Sequence, residues 1–175
     1  MHTTKLRIEP VQVEDLSLLI ELSVNTFIET FAAQNTDANM KEYLSTRMTE
    51  KQLSKELKNP DSEFFFAYVE TECIGYLKLN FNSAQIETVF NNTAFEIERI
   101  YLLKSHQGIK LGSQLLEWCI EYGKSKNYKK LWLGVWEFNY KAIGFYKHKK
   151  FKPFDQHVFQ LGTDPQTDIL MQLDI

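Results

Sequence analysis

Residues 94–151 read AFEIERIYLLKSHQGIKLGSQLLEWCIEYGKSKNYKKLWLGVWEFNYKAIGFYKHKKF, and the fold class turns on this stretch. Phe95, Ile97, Arg99 and Tyr101 alternate with Glu96, Glu98 and Ile100 at the two-residue period of a strand. A helix is predicted from about Gly108 to Lys126, with Leu111, Leu115, Cys119 and Tyr122 on its inner face. Leu131–Trp136 reads as another strand, and Asn139–Lys149 as a helix on which Ala142, Phe145 and Tyr146 share a face. Strand and helix in alternation is the pattern of βα units laid on a sheet.

Upstream, Lys5–Glu9 reads as a strand closed by Pro10. Glu14 to about Phe31 reads as a helix: Leu16, Leu19, Ser23, Phe27 and Phe31 recur at helical spacing, and Glu14 and Asp15 suit its positive N-terminus. A second helical stretch lies near Met40–Ser45. Thr49 followed by Gln52 forms a capping box, after which Leu53 and Leu57 share a face until Asn59-Pro60 stops the helix. Glu63–Val69 and Cys73–Phe81 read as strands joined by Glu70-Thr71-Glu72, and a polar loop covers Asn82–Asn92. Downstream, Phe151–Leu161 and Gln166–Leu173 pair around Gly162-Thr163-Asp164-Pro165. The whole is a mixed-sheet α/β chain, and with no repeat, linker or low-complexity tract it is expected to form one domain over residues 1–175.

The 175 residues are 43% hydrophobic and 25% charged, which suits an ordinary core without disulfide or metal staples and excludes a disordered tail protein. The longest apolar run, Phe64–Val69, falls far short of a membrane helix, and MHTTKLRIEP has no apolar signal region, so no membrane or secretory role is expected. Cys73 and Cys119 lack CxxC spacing, which favours reduced thiols and a cytoplasmic location. His2, His106, His148 and His157 show no metal-ligand spacing, so no metal is expected. The net charge of −3 conceals a split: residues 1–98 sum to −8 and residues 99–175 to +5. With an acidic pI near 5.8 and no basic recognition helix, a nucleic-acid partner is excluded. The split suits a protein that meets a cation on one side and an anion on the other, and equally two solvated faces.

Gln107-Gly108-Ile109-Lys110-Leu111-Gly112-Ser113 joins a strand to a helix, where free N–H groups and the helix dipole favour phosphate. It is neither a P-loop nor a GxGxxG turn, and by itself a plain connection has the same form. Glu98, just before the junction, could take a proton from an ammonium group if its face lines a cleft; a solvated strand face is the alternative. The Tyr146 hydroxyl, two helical turns after Asn139, could give a proton to a leaving group, or simply sit in the core.

Taken together, Glu98-Arg99-Ile100-Tyr101-Leu102, Gln107-x-x-x-x-Gly112 and Asn139-x-x-Ala142-x-x-Phe145-Tyr146 resemble the GNAT superfamily of acetyl-CoA-dependent N-acetyltransferases, whose element order fits nearly the whole chain. Asn25-Thr26-Phe27, Leu133-Gly134-Val135-Trp136-Glu137 and Gln166-Thr167-Asp168 are similar to the PaiA-type polyamine N-acetyltransferases. The resemblance implies a three-layer domain whose central sheet is mixed, mostly antiparallel and splayed between its fourth and fifth strands, with helices on both faces. It implies that Gln107, Gly108, Ile109, Lys110, Leu111, Gly112 and Ser113 hold the pyrophosphate of acetyl-CoA. Ile100, Tyr101 and Leu102 would pair with its pantetheine arm and polarise the thioester, and Asn139 would contact the cofactor. Tyr146 matches the family's general acid, and Glu98 a base position that varies within it.

The implied reaction moves acetyl to a primary amine, a polyamine such as spermidine or spermine, by direct attack in a ternary complex, with no role for Cys73 or Cys119. Lys104, Lys110, Lys147 and Lys149 are candidates to meet the anionic cofactor. Phe27, Phe31 and Trp136 are candidates for the methylenes of the acceptor, and Glu29, Asp37 and Glu42 for its ammonium groups. Acetylation of a protein α-amine, or an acyl-CoA-binding module without turnover, remain alternatives, and a homodimer is compatible. Two positions depart from the family pattern: Lys110 and Lys150 stand where glycine is usual, so a left-handed turn there would carry strain.

Overall fold

The computed structural model describes residues 5–87, 90 and 93–175, so the loop expected over Asn82–Asn92 is described only in part: residues 88, 89, 91 and 92 lie outside that set. β1 (Leu6–Pro10) leads into three helices, α1 (Leu16–Phe31), α2 (Asp37–Arg47) and α3 (Glu50–Leu57). β2 (Ser62–Val69), β3 (Glu72–Asn80) and β4 (Ala94–Leu102) follow as strands. α4 (Leu111–Ser125), β5 (Lys130–Trp136), α5 (Tyr140–His148), β6 (Lys152–Leu161) and β7 (Asp164–Asp174) complete the chain. The seven strands form one sheet in the order β1-β2-β3-β4-β5-β7-β6, with β4–β5 the parallel pair and every other pair antiparallel.

The helices begin and end where side chains satisfy their free ends. Thr36 caps α2 by accepting from the Asn39 N–H, and Thr49 caps α3 by accepting from the Gln52 N–H at 3.2 Å. The expected capping box closes on that side only, because the Gln52 amide turns to Glu56 Oε1 at 2.7 Å. α4 starts three residues later than its apolar period suggests: Gly108 (φ +84°) and Lys110 (φ +68°) are left-handed, and the helix winds only from Leu111. At the other end of the chain the turn is the pair Gly162-Thr163, and Pro165 lies inside β7, where it faces Gln160.

Two cores cover the two faces of the sheet. On one face Leu19, Leu22 and Leu53 of α1 and α3 pack on Phe64, Phe66 and Tyr76. The other buries Leu111, Leu115, Leu116 and Cys119 of α4 against Phe65, Leu77, Leu79, Phe95 and Ile97, with Ile143 and Tyr146 of α5 alongside. Each such large side chain contributes about 2 kcal/mol of burial. Val13–Gln34 is long and apolar enough to cross a membrane by composition alone, yet its Leu19, Leu22 and Phe27 are buried inside this fold.

The strict alternation expected along β4 fails in its middle. Ile97 faces Leu79 and Arg99 faces Lys78, so Glu98 is an extra residue with no partner on β3, a β-bulge. Phe95 and Ile97 before the bulge, and Ile100 and Leu102 after it, face the α4 core, while Glu96, Arg99 and Tyr101 face α1–α3. Arg99 and Tyr101 therefore lie opposite the apolar side on which simple alternation places them.

β4 and β5 pair over three residues only, Ala94–Glu96 with Lys130–Trp132. Beyond them β4 stays with β3 as far as Leu102 and β5 stays with β7 as far as Trp136, leaving a gap between two strands that start side by side.

Candidate active site

A cleft of about 830 Å³ opens along this gap, walled by the C-terminal half of β4, the loop into α4, the end of β5, α5, the end of α1 and the inner face of β6–β7. At one end stands the junction read from the sequence. The Leu103 N–H donates to the Ile74 carbonyl at 2.8 Å, and the Gln107 amide to the Leu102 carbonyl at 3.0 Å, so the loop is fastened at both edges. Its glycines leave room: a Cβ on Gly108 or on Gly112 would meet nothing within 4 Å. Lys110 supplies no side-chain cap to α4; its carbonyl accepts from the Ser113 N–H at 3.1 Å, and the Leu111 and Gly112 N–H groups that open the helix have no intrahelical partner. Lys104, Lys110 and Lys141 line this end, with the Lys141 ammonium held on Gln107 Oε1 at 3.0 Å. An array of N–H groups, a helix dipole and three ammonium groups is built to hold an anion.

The opposite end is acidic. Glu96, only 2% exposed, accepts from the Asn80 amide at 3.1 Å and from the Ile86 N–H at 3.3 Å. Burial pushes its carboxyl up to about 7, with the neighbouring Glu98 charge adding to the rise. Glu98 sits at the bulge, where Lys78 Nζ lies 2.5 Å away, the Asn80 amide 2.6 Å and the Arg99 guanidinium 3.2 Å. Behind them Glu56 of α3 bridges the same two cations at 2.9 Å each. Burial would raise the Glu56 carboxyl, but Arg99 and Lys78 outweigh it and hold it below the usual range. Farther along, His157 on β6 lies between Glu87 at 3.1 Å and Asp168 at 3.6 Å; the Asp168 contact raises its pKa, burial opposing.

Tyr146 stands between the two ends, on the face of α5 that packs against the sheet, and is 8% exposed. Burial drives its phenol well above the usual tyrosine range, with Cys119 a smaller contributor, so the hydroxyl keeps its proton. Asn139 caps α5: its Oδ1 accepts from the Ala142 N–H at 3.1 Å, and the residue lines the cleft two turns before Tyr146.

Most residues singled out from the sequence line this cleft: Glu98, Ile100, Tyr101, Leu102, Gln107, Gly108, Lys110, Gly112, Ser113, Asn139 and Tyr146, together with Phe27, Glu29, Phe31 and Trp136. Two residues of the junction do not line it. Leu111 is fully buried in the core and Ile109 is 56% exposed, each directed by the helix turn away from the cleft. Asp37 and Glu42 lie on the exposed face of α2, and Lys147 and Lys149 lie outside the cleft, Lys149 pairing with Glu117 at 2.9 Å. Glu29 serves first as a tether, since its carboxylate accepts from the Lys104 N–H at 2.8 Å and ties α1 to the loop. Lys150 is left-handed at φ +73°, as is Lys110, so both departures from glycine fall at turns that carry strain.

Tyr43, Phe159 and the Glu56–Lys78 pair carry no signal in the sequence, and Arg99, His157 and Asp168 show there without the roles that the cleft gives them. Phe27 stacks on Tyr43 at 4.3 Å, Tyr43 meets Phe159 at 5.4 Å and Phe31 meets Trp136 at 5.9 Å, so the wall of the cleft made by α1, α2 and β6 is lined with rings. The apolar positions 95, 97, 100 and 102 carried a signal of the bulge, because the step of three between Ile97 and Ile100 breaks a period of two. Among the described residues no His, Cys, Asp and Glu group could hold a metal ion.

The family model for acetyltransferases of the GNAT family matches residues 25–151. An uncharacterized N-acetyltransferase from the pepI 3′ region of Lactobacillus delbrueckii subsp. lactis is 43% identical over 169 residues, 97% of each chain. Among solved structures, the PaiA N-acetyltransferase of Thermoplasma acidophilum, in complex with coenzyme A, is similar at TM-score 0.78 and 23% identity, covering 98% of this chain and 99% of that one. Mutant forms of the spermidine/spermine N-acetyltransferase SpeG of Vibrio cholerae are similar at TM-score 0.69 and 19% identity, covering 97% and 95%. At those identities the two structures share the fold.

Proposed function

The chain belongs to the acetyltransferase (GNAT) family and is an acetyl-CoA-dependent N-acetyltransferase, and we propose that it acts as one domain and that its acceptor is a polyamine such as spermidine or spermine. The observation that carries the acceptor reading is the ordering of charge along one cleft. Lys104, Lys110 and Lys141 gather at the α4 junction, where Glu29 is tied to the Lys104 N–H, whereas Glu96, Glu98 and Asp168 outnumber Arg99 and His157 at the far end among aromatic rings. Carboxylates beside ring faces suit ammonium groups spaced by methylenes, since rings attract cations and cover apolar chain alike. The residues present also fit the cofactor: the open space at Gly108 and Gly112, the uncapped first turn of α4 and the gap between β4 and β5 leave room for a diphosphate and an extended arm.

Acetyl-CoA, when bound, supplies an acetyl group activated as a thioester. Backbone N–H groups of the Gln107–Ser113 junction, those of Gly108–Gly112 above all, would hold the phosphate oxygens, and Lys104, Lys110 and Lys141 would balance their charge. Main-chain groups of Ile100, Tyr101 and Leu102, left without a β5 partner by the splay, would hold the cofactor's extended arm as an added strand is held, and an amide among them would polarise the thioester. Asn139 orients the start of α5 and so the reach of Tyr146. Glu98, at the bulge, takes a proton from the acceptor ammonium, directly or through a water, because an amine of pKa about 10 holds little free base at neutral pH. The freed nitrogen forms the C–N bond as the C–S bond breaks. Tyr146 gives its proton to the departing sulfur and regains one from the acylated nitrogen. The balance is one ammonium and one thioester in; one amide, one thiol and one proton out.

Thiol release from acetyl-CoA tests this with a panel of spermidine, spermine, a monoamine and a peptide with a free α-amine. Turnover of the two polyamines at a kcat/KM at least ten-fold above the monoamine and the peptide is the expected result. Turnover of the peptide alone moves the acceptor to protein α-amines, and coenzyme A binding without turnover of any amine removes the polyamine reading.

A further inference from the structure

Glu56 lies on α3 outside the cleft, yet it is built into the acid end. Its Oε2 is 2.9 Å from both Lys78 Nζ and an Arg99 nitrogen, while its Oε1 accepts from the Gln52 amide at 2.7 Å and the Arg99 guanidinium at 3.3 Å. Lys78 and Arg99 are both buried, and their other carboxylate partner is Glu98. The four side chains form a closed ring, carboxylate–cation–carboxylate–cation, whose ionised charges cancel. Asn80 extends it: the Ser62 hydroxyl donates to Asn80 Oδ1 at 2.9 Å, and the Asn80 amide donates to both Glu96 and Glu98. The other titratable groups facing Arg99 are the hydroxyls of Tyr43 on α2, Tyr76 on β3 and Tyr101 on β4, all kept neutral by burial, with Arg47 acting on Tyr43 from its own helix.

We propose that Glu56 is a positioning residue for the proton transfer: by sharing Lys78 and Arg99 it keeps those two buried cations from capturing Glu98 outright, and so leaves the Glu96–Glu98 pair able to receive the acceptor's proton. The role rests on the acetyltransferase reading of the cleft. Without the Glu56 charge, two cations face Glu98 and Glu96 with nothing behind them, and a proton arriving on either carboxylate meets added positive charge at a few ångströms. Burial amplifies this, since neither Lys78 nor Arg99 can turn to bulk water. Asn80, donating to both carboxylates, holds them close enough for a proton on one to be felt by the other. The proton-accepting step balances simply: ammonium and carboxylate give amine and carboxylic acid, with the oxygen lone pair of the carboxylate forming the new O–H bond.

The test is Glu56→Gln, which keeps the shape and removes the charge. ¹³C NMR titration of the Glu96 carboxyl, assigned through Glu96→Gln, needs no turnover. In the wild type it titrates near 7, and in Glu56→Gln its midpoint is expected to fall by about one pH unit. In kinetics with spermidine, the acid limb of kcat/KM moves the same way and kcat falls about ten-fold, with the KM for acetyl-CoA unchanged. Gln52→Ala, which only loosens Glu56, gives a smaller shift of the same sign and keeps the test open should Glu56→Gln fail to fold. Lys78→Met moves the midpoint upward. An unmoved Glu96 midpoint in both Glu56→Gln and Gln52→Ala overturns the role, and so does a lost kcat with an unmoved acid limb. Failure of the wild type to acetylate any amine would instead remove the polyamine reading, while the titration still decides whether Glu56 governs the carboxylate pair.

Discussion

Glu96 offers a direct measurement of what the acid end costs the fold. A carboxyl that titrates near 7 in the native state and at 4.5 in the unfolded chain binds more protons folded than unfolded between those values. Because the folded value is the higher one, the native state is favoured below pH 4.5, and stability falls as pH rises towards 7. Integrated, about 1 kcal/mol has gone by pH 5 and about 3 kcal/mol by pH 8. Glu96→Gln keeps an oxygen to accept from Asn80 and the Ile86 N–H but has nothing to ionise. Urea unfolding of both proteins, followed by tryptophan fluorescence at pH 5 and pH 8, should show the variant gaining on the wild type by about 2.5 kcal/mol across that interval. Two parallel pH dependences would refute the reasoning, because they would mean that Glu96 is charged in the fold throughout.

Tyr146→Phe should lower kcat about ten-fold or more while coenzyme A affinity, read by calorimetry, stays put; an unchanged kcat takes the hydroxyl out of proton transfer. Lys110→Gly relieves a left-handed residue at φ +68° and should raise Tm by about 2–4 °C. The same variant should raise the KM for acetyl-CoA several-fold, because it removes one ammonium from the phosphate end. Gly75→Ala would place a Cβ 2.2 Å from the Tyr101 carbonyl, where β3 lies against the cleft half of β4, and should cost about 3 kcal/mol by denaturation and raise the acetyl-CoA KM as Ile100–Leu102 shift.

Features encoded in neighbouring residues were legible in the chain, and those made by distant ones were not. The face of α4 shows in Leu111, Leu115 and Cys119, all fully buried, because a helix repeats its environment every 3.6 residues. Thr49 shows as a cap because its acceptor reaches an N–H three residues on. The strain at Lys110 and Lys150 could be anticipated because turns of this kind select glycine by φ alone. Glu56 could not be anticipated, since its partners lie 22 and 43 residues away and meet it only when α3 docks on β3 and β4. Nor could Asp37 and Glu42 be separated from Glu96 and Glu98 by net charge: a half-chain total of −8 does not say which carboxylates face the cleft. His157 was passed over for lack of ligand spacing, although its partners are Glu87 on a loop and Asp168 on the neighbouring strand.

The bulge in β4 accounts for two features of the site at once. Pairing between β4 and β5 ends at Glu96–Trp132, and the extra residue Glu98 follows within two positions. A bulge bends its strand and increases the local twist, so β4 leaves β5 just where the bulge lies. The departure frees main-chain groups of Ile100–Leu102 for an extended ligand, and the same irregularity sets Glu98 at the vertex of the opening beside the ion ring of Lys78, Arg99 and Glu56. Opening and carboxylate are therefore coupled by backbone geometry and not by the side chains around them. On the proposed reading, a grip on a diphosphate is likewise a matter of N–H directions, which Lys110 can meet as glycine would at the cost of its strained φ. Selectivity for the acceptor then falls to what the backbone leaves open: rings from α1 and α2, the inner faces of β6 and β7, and the charge that Glu96, Glu98 and Asp168 present between them.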